Sequence, residues 1–230
     1  MSQYVLPMVV RIERATPPRR TDALEAAALA VLRMVNDPRS GGEGEWAEAV
    51  RGWEQHGVRK VVRRARGSEW IRVLGLPGET VSAGTALVRV HPPIPLDGWP
   101  KDLSKLQVSG TDLEDPEPPG SPGAPCVLWV NPHLEMSAGK AMAQAGHAAQ
   151  LAWWATSPRD RAAWMETGLA TSVRTASPHD WAKLAAADLP SVRDAGFTEI
   201  EPGSVTVIAT APWLAEGSYR PAGRGPLRNS

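Results

Sequence analysis

One cysteine, one phenylalanine and two tyrosines are all that 230 residues contain of those three types, and lysine plus arginine balance aspartate plus glutamate at 25 each. A lone Cys126 excludes an internal disulfide and is expected to be a small buried strand residue, inert as a thiol. No uninterrupted apolar run approaches the ~20 residues that cross a bilayer, so a membrane role is not expected. The opening stretch MSQYVLPMVVRIER lacks the basic start, long apolar core and small-residue cleavage site of a secretory signal, which predicts a cytoplasmic setting. Five histidines and the cysteine are scattered singly, without the spacing of a metal site, so neither a metal nor another cofactor is predicted.

What is present fits a packed globular chain: 42% hydrophobic and 22% charged residues. Ten tryptophans are the main large aromatic side chains. Aromatic rings can stack on exposed bases, but Trp53, Trp70, Trp164 and Trp181 sit at packing positions beside strands or on helices. Trp153 and Trp154 are adjacent in a helical segment and cannot both face one core. Charge is uneven along the chain: residues 1–110 carry a net +4 and residues 111–230 a net −4. A basic half suits an anionic partner, and solvated surface charge accounts for it equally well.

The segment 91–125 concentrates proline, glycine and acidic residues and reads as a long connection, with a short turn of structure near 100–106. It divides the chain into an N-terminal α/β unit (1–93), a linker (94–125), a C-terminal α/β unit (126–213) and a tail (214–230) that lacks a core-forming pattern. The first unit reads as a strand (4–12), a helix (21–36) capped by Thr21 or Asp22, a shorter helix (45–56), a strand (58–65), and a turn leading into a strand (80–93). The second repeats the order: strand 126–131, a helix from about Ser137, helix 158–168, strand 170–176, helix 177–188 and a final segment 198–212.

Direct comparison supports an internal repeat. VRRARGSEW (62–70) aligns without a gap on VRTASPHDW (173–181), and TVSAGTALVRVHPP (80–93) resembles EIEPGSVTVIATAP (199–212). The offset rises from 111 to 119 between the two matches, so the first copy is about eight residues shorter there. The expected fold is α/β: two similar units, each a small mixed β-sheet flanked by helices, forming an intramolecular pseudo-dimer.

Chemistry concentrates in two stretches of the second unit. MSAGKAMAQAGHAAQLAWW (136–154) places Lys140 in the first turn of an Ala-rich helix, where free amides and the positive dipole end favour an anion. A solvated helical lysine fits the same periodicity. Gln144 follows Lys140 at helical spacing, and His147 reads as a hydrogen-bonded packing residue. In VRDAGFTEIEPGSVTV (192–207), Asp194 and Thr198 flank a short turn at Ala195-Gly196, and Gly203 makes the next turn into a strand.

Together, GKAMAQAGHAA and RDAGFTEIEPGSVTVIATAP resemble the archaeal/eukaryotic-type peptidyl-tRNA hydrolase family over about 126–212. That family is a small α/β fold with a mixed four-stranded sheet, usually homodimeric. The resemblance implies hydrolysis of the ester joining a peptide to the terminal ribose of tRNA, with Lys140, Asp194 and Thr198 as catalytic residues. It also implies Gly139 and Gln144 as substrate-binding residues, and His147, Gly196 and Gly203 as structural ones. Asn131, His133, Glu135 and Ala138 stand where the family commonly has Arg, Asp, Lys and Lys. The first unit lacks both motifs and is expected to be catalytically silent, serving as a fused partner that makes the chain a monomer. Its strand VRKVVRRAR offers Lys60, Arg64 and Arg66 on one side and Arg59 and Arg63 on the other, with Arg59, Lys60 and Arg64 read as tRNA-phosphate contacts. An edge strand guarded by charge fits the same residues.

Overall fold

In the apolar run YVLPMVVR all six interior residues are buried, as befits a strand covered on both faces; it forms β1 (Tyr4–Arg11). The computed structural model describes residues 3–194 and 200–214. After β1 come α1 (Arg20–Asn36), α2 (Ala47–Gln55), β2 (Lys60–Ala65), α3 (Gly67–Leu74), β3 (Glu79–Ala83) and β4 (Ala86–Val90). The connection holds β5 (Ile94–Pro95) and the single turn α4 (Lys101–Ser104). The second unit runs β6 (Cys126–Val130), α5 (Ala138–Ala155), α6 (Pro158–Glu166), β7 (Thr171–Thr175), α7 (Pro178–Ala186), β8 (Ser191–Arg193) and β9 (Val205–Thr210).

The two units share one topology. The first sheet has the order β2-β1-β4-β3, with the short β5 added to β1, and the second has the order β7-β6-β9-β8. In each, the two central-to-edge neighbours are a parallel pair (β1 with β2, β6 with β7) followed by antiparallel pairs. Registers superpose residue on residue. Val62 lies opposite Met8 as Val173 lies opposite Leu128, an offset of 111 on the outer strand. Val88 lies opposite Val10 as Val207 lies opposite Val130, an offset of 119. The change of offset falls between β3 and β4, a hairpin that turns at Gly84-Thr85; its counterpart between β8 and β9 spans 194–204.

A local detail repeats too. Trp53 Nε1 donates to Arg59 O at 2.7 Å, and Trp164 Nε1 donates to Ala170 O at 3.0 Å. Each tryptophan is followed by a left-handed Gly (Gly57, φ 97°; Gly168, φ 70°) and a left-handed apolar residue (Val58, φ 48°; Leu169, φ 63°). A left-handed residue with a Cβ costs about 1–2 kcal/mol, which the buried indole and its hydrogen bond offset at both places.

The sheets are joined through α1 and α5, which pack against each other and bury alanine along much of their length. Small side chains let the helix backbones approach closely. At the crossing, a Cβ on Gly146 would lie 2.8 Å from Val31 Cγ2. The Ala-rich composition therefore serves the junction between units as well as helix propensity. One core of buried residues runs through both units, including Leu6, Met8, Leu32, Leu128 and Met142, and each such side chain contributes about 1.5–3 kcal/mol.

Several expectations change. Neither Thr21 nor Asp22 caps α1; the N-cap position is Arg19, which makes no side-chain cap. Asp115 of the connection supplies the cap, accepting from Thr21 N at 3.0 Å and Thr21 Oγ1 at 2.6 Å. The stretch 80–93, expected as a turn leading into a strand, has a further strand, β3, before its turn, and α3 and β8 are elements the periodicity did not reveal. The connection also covers the outer edge of β2, where Arg64 N donates to Gln107 O at 3.0 Å. Cys126 is fully buried, and burial pushes its thiol up to about 12. Among the described residues no helix is long and apolar enough to cross a membrane. Residues 215–230, most of the expected tail, lie outside the described residues.

Candidate active site

Ser137 is the N-cap of helix α5, its Oγ accepting from Lys140 N at 3.3 Å, so Lys140 sits in the first turn. From there Lys140 Nζ reaches Asp194 Oδ1 at 2.5 Å, immediately beyond β8. The side chains are 15% and 4% exposed, so the ion pair is largely shielded from water. Low local dielectric strengthens such a pair and makes the loss of either partner costly.

Gln144, one turn after Lys140, donates from Nε2 to the same Asp194 oxygen at 2.9 Å. Its orientation is fixed behind by Thr206 of β9, whose hydroxyl donates to Gln144 Oε1 at 3.1 Å and is fully buried. Thus Thr206 orients Gln144, and Gln144 and Lys140 together hold the Asp194 carboxylate. The backbone holds it as well: Asp194 N donates to Ser204 O at 2.9 Å, and Asp194 O accepts from Gly203 N at 2.8 Å. Gly203 adopts φ 85°, a conformation suited to glycine, which explains its place in the turn.

The loop between β6 and α5 is organised by Asn131. Its amide donates to Val205 O at 2.7 Å, its Oδ1 accepts from His133 N at 2.8 Å, and its backbone N donates to Thr206 O at 2.9 Å. An arginine could not make this two-way bridge, because guanidinium only donates. Ala138 is buried, whereas His133 and Glu135 are exposed.

Of the residues read as substrate-binding, Gln144 faces Asp194, and Gly139 has a different partner. Gly139 N donates to Thr111 Oγ1 at 2.9 Å, and a Cβ there would lie 2.8 Å from that oxygen. Thr111, buried at 2% exposure, is a second helix cap supplied by the connection. Arg59 is exposed. Arg64 donates to Ser109 O at 2.9 Å and to the Gln107 side chain.

Lys60 is not a surface cation. It is buried between the units, its Nζ donating to Gln150 Oε1 at 2.7 Å and to Val58 O at 3.2 Å, and lying 4.7 Å from the Trp53 ring centre. Burial pushes its ammonium well below the usual lysine range. The alternation that put Lys60 beside Arg64 was correct for an isolated strand, but α5 covers the N-terminal end of that face. His147 reaches across to the first unit: a carbonyl only accepts, so its Nε2 carries the proton donated to Val58 O at 2.8 Å. Burial chiefly, then the charges of Lys60 and Lys140, hold its pKa well below the usual value.

Thr198 and Gly196 lie outside the described residues. The site residues that pattern reading missed are Thr206 and Thr111. Thr206 had a signal, a hydroxyl at a core-facing strand position; Thr111 had none, since its partner is 28 residues away.

Among the described residues no cluster of His, Cys, Asp and Glu could hold a metal ion. Comparison with curated proteins returns no match. The segment containing Lys140, Gln144, Asp194 and Thr206 does match a protein family: residues 125–217 fit the family model described as Peptidyl-tRNA hydrolase PTH2.

Proposed function

We propose that the C-terminal unit is an esterase that cleaves the bond between a peptide and the 3′ ribose of tRNA by attack of water. The observation that carries this reading is the Lys140–Asp194 pair at the start of α5, buttressed by Gln144, within the family-matched segment. Such a reaction needs a water made nucleophilic and a stabilised tetrahedral oxyanion. Asp194 orients the water and takes its proton as the oxygen bonds to the ester carbon. Lys140 stabilises the negative charge that develops on the carbonyl oxygen, and Thr198 positions the water or the ester. Collapse breaks the C–O bond to ribose, and the proton passes to the leaving hydroxyl. No metal or other cofactor takes part.

The N-terminal unit is a diverged copy of the same fold, fused so that it stands where a second subunit would otherwise pack. Matching sheet order, matching registers and the repeated Trp–Gly turn support that origin. In this reading residues 1–93 and 126–213 are the two units, 94–125 joins them, and the chain works as a monomer in the cytoplasm. The first unit is catalytically silent: where the second has the Asp194 loop, the first has a short hairpin.

The test is release of the blocked amino acid from an N-blocked aminoacyl-tRNA by the purified chain, against a no-protein control. Ester release above that background supports the reading, and its absence overturns it. A second reading, a non-catalytic RNA- or protein-binding module, is favoured by Glu135 and Ala138, which leave the loop before α5 and the first position of that helix without lysine or arginine. It predicts binding without release.

A further inference from the structure

The start of α5 supplies few cations of its own beyond Lys140: Ala138 is buried, and Glu135 is acidic and exposed. The opposite is true of the neighbouring unit. Helix α1 begins at Arg20, the same first helical position that Ala138 occupies in α5. Arg20 is partly buried, its Nη2 lies 3.5 Å from Met136 O in the loop leading to α5, and among the described residues it has no carboxylate partner. The two helix starts are tied together by the connection, through Glu114 O to Arg20 N at 3.2 Å, Asp115 to Thr21, and Thr111 to Gly139. An arginine of the first unit thus stands against the loop that leads into the helix carrying Lys140.

On the same end of the molecule lie the C-terminal ends of the parallel strands β1 and β2, where Ile12 N donates to Ala65 O at 3.0 Å. Just beyond them, Arg14, Arg64 and Arg66 surround an open hollow of about 280 Å³ with Glu69 and Gln107. Arg64 is braced by Gln107 and Ser109, and Glu69 accepts from Arg66 N at 3.4 Å. Three guanidiniums against one carboxylate leave the hollow positive. Guanidinium forks match phosphate oxygens in geometry as well as charge.

We infer that the N-terminal unit carries the backbone track for the RNA substrate: Arg20 contacts a phosphate flanking the Lys140 site, and the Arg14–Arg64–Arg66 hollow holds a phosphate further along the chain. This inference rests on the tRNA reading of the site. It gives the first unit a task, since phosphate contacts missing around α5 are supplied from the partner half. Arg59 and Lys60 are not part of the track.

The experiment measures binding of uncharged tRNA to the full chain as a function of salt, for the parent, Arg20→Ala, Arg20→Lys, the double variant Arg14→Ala/Arg66→Ala, and the control Arg159→Ala on α6. Each lost phosphate contact is expected to weaken binding about 3- to 10-fold and flatten the log–log salt slope by about 0.7–0.9. Arg20→Lys retains most of the slope, and Arg159→Ala leaves binding unchanged. In hydrolysis of N-blocked aminoacyl-tRNA the track variants raise KM at unchanged kcat, which a merely structural role for Arg20 would not do. Failure of tRNA to bind the parent overturns the track, as do parent-like slopes in the variants or an equal loss in the control. Arginine-dependent tRNA binding without ester release would instead retain the track and overturn the hydrolase reading. Release with unaltered KM in the variants would do the reverse.

Discussion

Asp22 and Lys140 stand at the same place in their helices, three residues past the N-cap positions Arg19 and Ser137, and carry opposite charges. Lys140 reaches Asp194 at the start of the long β8–β9 loop. Asp22 reaches the corresponding short hairpin, where its Oδ2 accepts from both Thr85 N and Thr85 Oγ1 at 2.7 Å. One geometry, a helix first turn touching the hairpin at one edge of its own sheet, is therefore used for a shielded ion pair in one unit and for turn capping in the other.

That contrast gives a first prediction. Asp22→Ala removes the acceptor for Thr85 and an acid near a helix start, and lowers stability by about 1 kcal/mol. Ester release per folded molecule stays at the parent rate. Urea unfolding and the tRNA assay read the two effects separately, and a loss of turnover without a loss of stability would place chemistry in the first unit.

The junction between α1 and α5 is tested at Gly146. Alanine is favoured over glycine inside a helix by about 1 kcal/mol, yet here the new methyl would meet Val31 Cγ2 at 2.8 Å in a buried crossing. Overpacking costs about 1–3 kcal/mol. Gly146→Ala is therefore expected to destabilise the chain by about 1 kcal/mol net in chemical denaturation; a more stable variant would mean that the helices are not in such close contact.

Acid stability turns on buried histidines. Burial pushes His91 down to about 4; its Nδ1 donates to Pro77 O at 2.7 Å, and its Nε2 is buried without a partner. Between pH 6.5 and 4 the unfolded chain takes up a proton that the folded chain does not, so stability falls as pH falls through that window, by about 3 kcal/mol for this residue. His147, also depressed, adds to the slope. In His91→Asn the fall is shallower over the same range, as measured by urea midpoints at stepped pH; parallel curves for parent and variant would contradict the account.

Much of the framework was legible in the sequence because it rests on local pattern. The apolar run of β1, the alternation of β4 and β9, and the change of offset from 111 to 119 all reappear in the sheet registers. Lys140, Gln144 and Asp194 were legible as motif residues, although Gln144 proves to hold Asp194. What pattern could not reach depends on residues distant in sequence. Asp115 and Thr111 cap helices from 94 and 28 residues away. Lys60 lies on a strand that looks basic and exposed until α5 covers it. Likewise, Asn131 looked like a lost cation, and its value as a two-way bridge is visible only once Val205 and His133 are beside it.

The central claim is that Lys140 and Asp194 act as one unit in ester hydrolysis, and its most direct measurement is the single-turnover rate on N-blocked aminoacyl-tRNA. Parent, Lys140→Ala, Asp194→Ala and the double variant are compared after each has been checked for native folding, since breaking a shielded pair costs about 3 kcal/mol. The account predicts that each folded single variant loses about 100-fold or more in rate and that the double variant is no slower than the worse single one. Parent-like rates in the folded single variants, or a parent no faster than the uncatalysed background, would contradict it.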